Sequence, residues 1–357
     1  MKKIALILTI ALVLSIFAGC TGDVVVIGGC TCPTGSHTNP TQPNNPTQPS
    51  TPTQPVDGAL KTGLAVVCNT TGSKDGVKAD YDVTLVAVLV DNDGIIRDCI
   101  IDSIGTSVEF DATGTITSDI PAEIKTKNEL GDSYGMVAWG GAIAEWYQQA
   151  DALAQFAIGK TVTELKNGAI DASGKAPAGS DLASSATIYL GGYVAAIEAA
   201  VNNAQHLGAQ GGDELRLAAI PSLKSSSATA EQAGTAQLDC DVTALTVKDG
   251  VITSCYIDSL QAKVEFGTDG VITKGISAAV ETKNQLGSAY NMVLYGGAIA
   301  EWNEQAASFA AYVTGKTAAE VAGIAVNEGT KPTGADLVSS VTIAIGGFQA
   351  LITKAMA

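Results

Sequence analysis

The chain has 357 residues, of which 46% are hydrophobic and 16% are charged, so it is long enough for two globular domains of ordinary size. Its 36 acidic residues outnumber the 20 basic ones and give a formal net charge of -16. This balance argues against nucleic acid as a partner, because that needs a basic surface, and it offers no polybasic patch for acidic lipid headgroups.

The first residues have the pattern of an export signal. A basic start at residues 1–3 precedes an almost unbroken apolar run from Ile4 to Ala18, which is shorter than the roughly 20 residues of a membrane-spanning helix. The run ends in Phe-Ala-Gly-Cys, which resembles the lipobox of bacterial lipoproteins, where the cysteine is lipidated and becomes the first mature residue. We expect residues 1–19 to be a lipoprotein signal peptide and Cys20 to be lipidated. The alternative is an ordinary cleaved signal with an incidental cysteine.

The next segment predicts a tether. Residues 33–56 contain the triplet Thr-Gln-Pro three times and are rich in proline and small polar residues. Such a composition cannot bury a core and favours an extended, polyproline-like chain. At about 3.1 Å per residue, the stretch from Cys20 to Val56 reaches on the order of 110 Å at most. We expect residues 20–58 to hold the rest of the protein away from a membrane, a length that suits a cell wall of the Gram-positive type.

The remainder of the chain repeats itself. KNELGDSYGMVAWGGAIAEW at 127–146 and KNQLGSAYNMVLYGGAIAEW at 283–302 agree at fourteen of twenty positions, with an offset of 156. After one deletion, GSDLASSATI at 179–188 aligns with GADLVSSVTI at 334–343. Self-similarity on this scale predicts two copies of one domain, at 59–203 and 230–357. The polar residues 204–229 between them are expected to be an interdomain linker.

Strands are predicted at the start of each copy. Two β-branched apolar runs at 83–90 and 95–101 flank Asp93-Gly94, which is a strong hairpin signal, and Asp249-Gly250 repeats it. Residues 108–110 and 114–116 suggest a further strand pair. A two-residue turn would put Cys99 opposite Val88, and the equivalent Cys255 opposite Ala244. We expect both cysteines to be buried free thiols.

Helices are predicted in the second part of each copy. Apolar residues recur at helical spacing from Ile143 to Ala157, and Gly159 is a plausible helix end. Capping boxes at 161–164 and 317–320 open a second helix, and a last helix is expected from about Ser184 through Ala200. The fold class is therefore α+β, with two tandem domains that each consist of an antiparallel sheet with helices packed on one face.

One motif has the residues for chemistry. Each copy contains Asp-x-x-Ser-Ser-x-Thr, at 181–187 and 336–342. An aspartate and hydroxyl residues before an apolar run are typical of a helix N-terminus, whose N–H groups suit a phosphate, and a threonine hydroxyl there can carry that phosphate covalently. The alternative is that Asp181 and Ser184 simply cap a helix.

The Asp-x-x-Ser-x-Ala-Thr pattern resembles the flavinylation motif of the FMN-binding domain family, although Val341 replaces the usual small residue in the second copy. In that family a flavin transferase moves FMN from FAD onto the threonine as a phosphoester. The lipobox, the polar linker and two copies of K-x-x-LG-x-x-Y-x-M followed by EW also resemble the PplA-type extracellular electron-transfer flavoproteins. The resemblance implies a lipid-anchored carrier on the outer face of the cytoplasmic membrane. It would take electrons from a membrane quinone-linked donor and pass them to extracellular acceptors such as ferric iron.

The resemblance also assigns residues. It implies that Thr187 and Thr342 carry FMN, and that nearby acidic and hydroxyl residues form the phosphate loop and the transferase recognition site: Asp181, Ser184 and Ser185, with Asp336, Ser339 and Ser340. Candidate walls of a flavin slot, or else ordinary core, are Tyr134, Met136 and Trp139, with Tyr290, Met292 and Tyr295. Lys127 and Lys283 would meet the flavin's carbonyl edge or phosphate, or be plain surface lysines, and Trp146 and Trp302 are expected in the core.

Three functions fit these patterns. The first is a redox carrier with two covalent FMN groups, which is a carrier more than a turnover enzyme. The second is a non-redox surface lipoprotein that binds a ligand or cell-wall polymer, and the third is a structural repeat protein of the envelope. The threonine motif, present twice, favours the first. Neither copy contains a histidine, which argues against a histidine-based metal site or a catalytic triad.

Overall fold

The computed structural model describes residues 58–357, which belong to one compact unit. The expected signal peptide, the lipidated Cys20 and nearly all of the tether lie outside the described residues. Within 58–357, no helix has both the length and the apolar character needed to cross a bilayer.

Each repeat forms its own antiparallel sheet, as the α+β prediction requires. Repeat one has three strands in the order β1-β2-β3, and repeat two has four in the order β4-β5-β6-β7. Their bounds are β1 Lys61–Asn69, β2 Lys78–Val90, β3 Ile96–Glu109, β4 Glu214–Ser226, β5 Gly234–Lys248, β6 Val251–Phe266 and β7 Ile272–Lys274. Both predicted hairpins are confirmed, and the predicted pair at 108–110 and 114–116 is a single bridge between Phe110 and Ile116.

The helices follow each sheet in the same order. Repeat one has α1 Lys127–Leu130, a 3₁₀ turn Gly131–Tyr134, α2 Met136–Gly140, α3 Trp146–Ala157, α4 Val162–Ala169, α5 Asp181–Ser185 and α6 Gly191–Asn202. Repeat two has α7 Lys283–Leu286, a 3₁₀ turn Gly287–Tyr290, α8 Met292–Gly296, α9 Trp302–Val313, α10 Ala318–Ala322, α11 Ala335–Val338 and α12 Gly346–Ala355. The predicted capping boxes open α4 and α10.

The two sheets share one core. Because side chains alternate along a strand, Leu64 and Val66 of β1 face inward while Ala65 faces outward. The inward residues of both sheets form a single apolar cluster, and each outward face is covered by the helices of its own repeat. The helix layers therefore lie on opposite sides of a two-sheet centre.

An aromatic pair marks the symmetry of this core. Phe110 and Phe266 occupy equivalent positions in the two repeats, and their rings stack with centroids 3.9 Å apart and planes 1° apart. Both side chains are almost completely buried. Equivalent residues touch each other only near a two-fold axis, so this pair indicates that the repeats are related by a pseudo-two-fold rotation.

The expected linker at 204–229 is wrong for most of its length. Strand β4 occupies 214–226, and before it Gln205 bridges to Thr62 of β1 and Gln210 to Ala59, just before β1. Leu215, Ala219 and Leu223 of β4 alternate into the shared core. Ala218 and Ile220 pack on the other face, against the helices of repeat two. The strand is therefore apolar on both faces and lacks the alternation of apolar and polar residues that identifies a strand in a sequence.

The expected helix from Ser184 through Ala200 is also wrong. Helix α5 ends at Ser185, and α6 starts only at Gly191. The residues between them have β-branched side chains at Thr187 and Ile188, and the backbone N–H groups of these two residues bond to a side chain on α3 rather than to a preceding helical turn. The predicted modification site thus lies between two helices.

The prediction that Cys99 and Cys255 are buried free thiols is confirmed, but the predicted strand partner of Cys255 is wrong. The described cysteines, which include Cys99 and Cys255, are buried and unpaired. Cys99 pairs with Val88 as expected, but Cys255 pairs with Leu245 rather than Ala244. The register shifts between Thr246 and Val247, where a bulge adds one residue to β6 and moves every later pair by one.

Candidate functional site

The two threonines predicted to carry a cofactor occupy the same position in each repeat. Thr187 lies between α5 and α6, and Thr342 lies between α11 and α12. Thr187 is exposed, and Thr342 is partly exposed. Both side chains are therefore open to a group attached from outside.

A buried glutamine holds the first threonine. Gln149, in the first turns of α3, has no exposed surface, and its Oε1 accepts hydrogen bonds from the N–H groups of Thr187 at 2.8 Å and Ile188 at 3.2 Å. Its Nε2 donates to the carbonyl of Ala144 at 2.8 Å. Because both ends of the amide are bonded, its polar atoms are satisfied inside the protein and the threonine segment has a defined position.

Repeat two has the same arrangement. Gln305 Oε1 accepts from the N–H groups of Thr342 at 2.8 Å and Ile343 at 3.2 Å, and its Nε2 donates to the carbonyl of Ala300 at 2.8 Å. Gln305 is also fully buried. We call this arrangement, in which Gln149 or Gln305 accepts hydrogen bonds from the threonine segment, the glutamine clamp. It is present in both repeats.

One helical turn earlier, a glutamate holds a second segment. Glu145 is the N-cap of α3, and its carboxylate accepts hydrogen bonds from the N–H groups of Met136 at 2.8 Å and Val137 at 2.9 Å, the first residues of α2. Glu301 makes the equivalent bonds to the start of α8 at 2.9 and 3.2 Å. Since Glu145 and Gln149 are four residues apart on one helix, they bring α2 and the threonine segment to neighbouring positions.

Large apolar side chains stand exposed on α2 and α8. Trp139 is 89% exposed, and Tyr295 at the equivalent position is 83% exposed. Other apolar residues around them are also exposed: Tyr134, Val137 and Ile143 in repeat one, with Val293, Leu294 and Ile299 in repeat two. Of the two interpretations for these aromatic residues, core packing fails for Trp139 and Tyr295. Exposed apolar clusters of this kind mark surfaces that bind another group.

Three other residues predicted to line a flavin slot are partly buried in the core. Met136 packs against the core of repeat one, and Tyr290 and Met292 pack against that of repeat two, each with part of its surface exposed. These three residues therefore belong partly to the core, whereas Trp139 and Tyr295 are exposed and could form a wall of a flavin slot.

A lysine at the same position in both repeats lies over aromatic rings. Lys127 Nζ lies 5.3 Å from the ring centroid of Tyr134 and 5.0 Å from that of Trp146, and Lys283 makes the same two contacts in repeat two at 5.2 and 4.9 Å. Cation–π contacts hold both ammonium groups beside the exposed segment. The aromatic partners from α3 and α9 are core residues as expected, since Trp146 and Trp302 are 3% and 5% exposed.

A buried carboxylate ties the lysine segment to the sheet. Asp102 on β3 accepts a hydrogen bond from the N–H of Asn128 at 3.0 Å, and Asn128 Nδ2 donates to a β3 carbonyl at 3.0 Å. Asp258 and Asn284 repeat these contacts. Desolvation by burial raises the pKa of Asp102 and of Asp258 to about 6, although hydrogen bonds to each carboxylate act in the other direction.

The acidic and serine residues of the motif lie on the surface. Ser180, and not Asp181, is the N-cap of α5, since its side chain accepts from the N–H of Ala183 at 3.2 Å. Ser184 Oγ donates to the carbonyl of Asp181 at 2.6 Å. The other members are on or beside α5 and α11, exposed except for the partly exposed Ser340: Ser185, Asp336, Ser339 and Ser340. The alternative that Asp181 and Ser184 cap this helix is therefore wrong, because Ser180 is its N-cap.

A longer helix follows each threonine. Helix α6 begins at Gly191, four residues after Thr187, and α12 begins at Gly346. Within the described part of the chain, the backbone N–H groups of Gly192 and Gly347 find no acceptor. Free donors at the start of a helix of 12 or 10 residues suit a phosphate group.

Several residues that build the site were missed in the sequence. They are Gln149, Glu145 and Asn128 in repeat one, with Gln305, Glu301 and Asn284 in repeat two. A partial signal was present, because all of them are identical at the offset of 156, but so are several of their neighbours, such as Lys127, Ala144 and Trp146. A polar residue on a helix does not by itself reveal which distant backbone it bonds.

Comparison with known proteins returned no match among family models, curated proteins or solved structures. Across residues 58–357, no cluster of three or more histidine, cysteine, aspartate or glutamate side chains is arranged to hold a metal ion. The features that point to a function are therefore those that both repeats share: the buried glutamine, the accessible threonine and the exposed aromatic segment.

Proposed function

We propose that the protein is a cell-surface electron carrier with FMN attached as a phosphoester to Thr187 and to Thr342. One observation supports this most directly. In each repeat, one helical turn fastens an accessible threonine beside an exposed aromatic segment, with free helix N–H groups following in the chain.

The contacts of the threonine are compatible with esterification, which replaces the hydroxyl proton by phosphorus. The Thr187 hydroxyl donates to Gln149 Oε1 over 3.3 Å, whereas its backbone N–H does so at 2.8 Å. For Thr342 and Gln305 the distances are 3.2 and 2.8 Å. Attachment gives up the longer bond in each case and leaves the shorter backbone bond in place, so a modified threonine keeps its position.

The side chains around the threonine fit the other parts of FMN. The phosphate ester suits the N–H groups at the start of α6 or α12. The flat isoalloxazine ring suits exposed Trp139 or Tyr295, and a lysine ammonium held on aromatic rings suits its polar edge. Bound FMN supplies electron exchange, while these residues supply position and electrostatics.

Exposure of the motif fits its modification by an enzyme. Helix α5 presents Asp181, Ser184 and Ser185 to solvent, and Asp336 and Ser339 are exposed in repeat two. A flavin transferase must approach the threonine from this side, so these residues are available for its recognition. They are not needed to hold the domain core.

The position of the shared core is consistent with a carrier that has two separate flavin sites. The helix layers with Thr187 and Thr342 cover opposite outer faces of the paired sheets. One molecule can therefore store electrons at two sites that meet partners independently. In the proposal, a quinone-linked membrane donor loads them, an extracellular acceptor such as ferric iron removes them, and a lipid on Cys20 keeps the protein at the membrane.

The test is the intact mass and peptide map of the protein produced together with an active flavin transferase. We expect two added FMN masses, one lost in Thr187→Ala and the other in Thr342→Ala. A single mass would confine the redox function to one repeat. No added mass, with the transferase active on another substrate, would reject the proposal in favour of a non-redox binding protein.

A further inference from the structure

Repeat two has a charged strand residue, next to the helix that follows the threonine, that repeat one lacks. On β2, Thr84 pairs with Ser103, and on β5, Asp241 pairs with Ser259. Ser103 and Ser259 are equivalent at the offset of 156. Asp241 therefore stands in repeat two where repeat one has the neutral Thr84, and both side chains point to the helix-covered face of their sheet.

Asp241 lies against the helix that follows the threonine. Its Oδ2 is 3.1 Å from the point that a Cβ on Gly347 would occupy, in the first turn of α12. It stands opposite Ser259 on the neighbouring strand, and Lys283 is the charge that most favours its ionised form. In repeat one, the corresponding Ser103 Oγ is buried and has no partner within the described residues. The carboxylate is thus part of the repeat-two site and has no counterpart in repeat one.

Most other charges near the two sites are matched. The equivalent pairs are Asp82 and Asp239, Asp102 and Asp258, and Lys127 and Lys283. Repeat one also has acids without an acidic equivalent. Asp132 is exposed, where solvent screens its charge, Glu129 is paired with Lys354, and Asp151 is a partly exposed residue of α3. Asp98 of repeat one is also largely buried and has the neutral Ser254 as its equivalent, but it pairs with Leu89 of the shared core. On the helix-covered strand positions at Thr84 and Ser103 and their equivalents, the unmatched charge is Asp241.

We propose, on the basis of the FMN function above, that Asp241 makes the two flavins unequal and gives the repeat-two flavin the lower reduction potential. Reduction by a quinol would oxidise the quinol to a quinone and give the bound ring two electrons and one proton, with the second proton released to solvent, so the site would gain one negative charge. A nearby carboxylate in a poorly solvated site opposes that charge. In a partly reduced molecule, electrons therefore collect in repeat one, and repeat two is the stronger reductant.

The electrostatic surroundings agree with this assignment. Burial raises the pKa of Asp241, while the Ser259 hydroxyl and the Lys283 ammonium act against the shift. Burial lowers the pKa of Lys283, and Asp241 is the largest influence in the opposite direction. The two groups thus stabilise each other's charged forms beside the site.

The test uses proteins that carry one flavin each. Thr187→Ala leaves only the repeat-two flavin and Thr342→Ala only the repeat-one flavin, and spectroelectrochemical titration in mildly alkaline buffer gives each midpoint potential. We expect the lower potential in the Thr187→Ala protein. Asp241→Asn in that background should raise it, and the matched Thr84→Asp in the Thr342→Ala background should lower the other.

Equal potentials in the two single-flavin proteins, or an unchanged potential in Asp241→Asn, would overturn this inference while the FMN function stands. Absence of attached FMN in the wild type, seen by mass, would overturn both. A readout without flavin is the pKa of Lys283, followed by NMR in protein made without the transferase. Asp241→Asn should lower that pKa further, and an unchanged value would show that the carboxylate does not act on the site.

Discussion

The two repeats agree in the residues that fasten the threonine and differ in those that surround it. The glutamine clamp has contacts within 0.1 Å of each other in the two copies, at 2.8, 3.2 to 3.3 and 2.8 Å. Beside it, Trp146 Nε1 donates to Tyr193 Oη at 3.0 Å, whereas Trp302 meets Phe348, which has no hydroxyl. Backbone placement is thus held constant, while polarity and charge are free to vary. This is the pattern expected of two copies of one site tuned to different properties.

The largest expected effect concerns the core that both repeats share. Phe266→Ala removes one ring of the stacked pair and should lower the free energy of unfolding by about 3–5 kcal/mol. Urea denaturation followed by circular dichroism should still show a single transition, because neither sheet keeps its inner face covered alone. Phe110→Ala is the matched variant and should cost a similar amount. Two separate transitions, with only repeat two destabilised, would show that the repeats are independent domains.

A second effect is a pH dependence that both repeats share. The pKa of Asp102 and of Asp258 rises from 3.8 to about 6 in the folded protein, so the folded state binds more protons than the unfolded state between these values. Stability should therefore fall as pH rises through this window and stay lower above it, by about 3 kcal/mol for each carboxyl at most.

Asp102→Asn and Asp258→Asn should each flatten that fall by a similar amount, because Asn keeps an oxygen for the backbone N–H groups. The measurement is urea denaturation at several pH values between 4 and 6. A fall as steep as in the wild type would mean that these carboxyls titrate normally.

A third effect should be confined to one repeat. Gln149→Ala leaves the N–H groups of Thr187 and Ile188 without their acceptor and should cost about 1–3 kcal/mol. It should also reduce FMN attachment at Thr187 but not at Thr342, as peptide mapping would reveal. Gln155→Ala, on the exposed side of the same helix, is the control and should change neither. Full occupancy of Thr187 in Gln149→Ala would exclude a positioning role for the glutamine.

The smallest effect converts one repeat toward the other. Tyr193→Phe removes the acceptor of the Trp146 indole N–H and should cost about 0.5–1.5 kcal/mol, because the edge-to-face contact at 5.8 Å remains. Phe348→Tyr is the reverse change. It offers the Trp302 indole N–H an acceptor and should increase the free energy of unfolding by up to a similar amount. Chemical denaturation measures both. A loss of several kcal/mol in Tyr193→Phe would mean that the ring itself moves.

Local signals explain which parts of the fold were predictable. The Asp-Gly hairpins, the capping boxes that open α4 and α10, and the buried tryptophans were all predicted correctly, because each depends on neighbours in the chain. The break between α5 and α6 was missed, since a buried glutamine 38 residues away competes for the backbone N–H of Thr187. Strand β4 was missed because it buries apolar residues on both faces, Leu215 and Leu223 toward the shared core and Ala218 and Ile220 toward the helices, and so lacks a regular alternation of apolar and polar residues.

By itself, the sequence determined that the chain contains one α+β unit twice, with a hydroxyl residue in the same motif in each copy. Periodicity and turn chemistry are local, so they can be recognised without knowing what packs against them. Only the tertiary structure decided that the two sheets share a core, that one helical turn positions both the threonine and the exposed aromatic segment, and that Asp241 has no partner in repeat one. Each of these depends on contacts between residues far apart in the chain, whose pairing is set by burial and hydrogen bonding and is not encoded in any single segment.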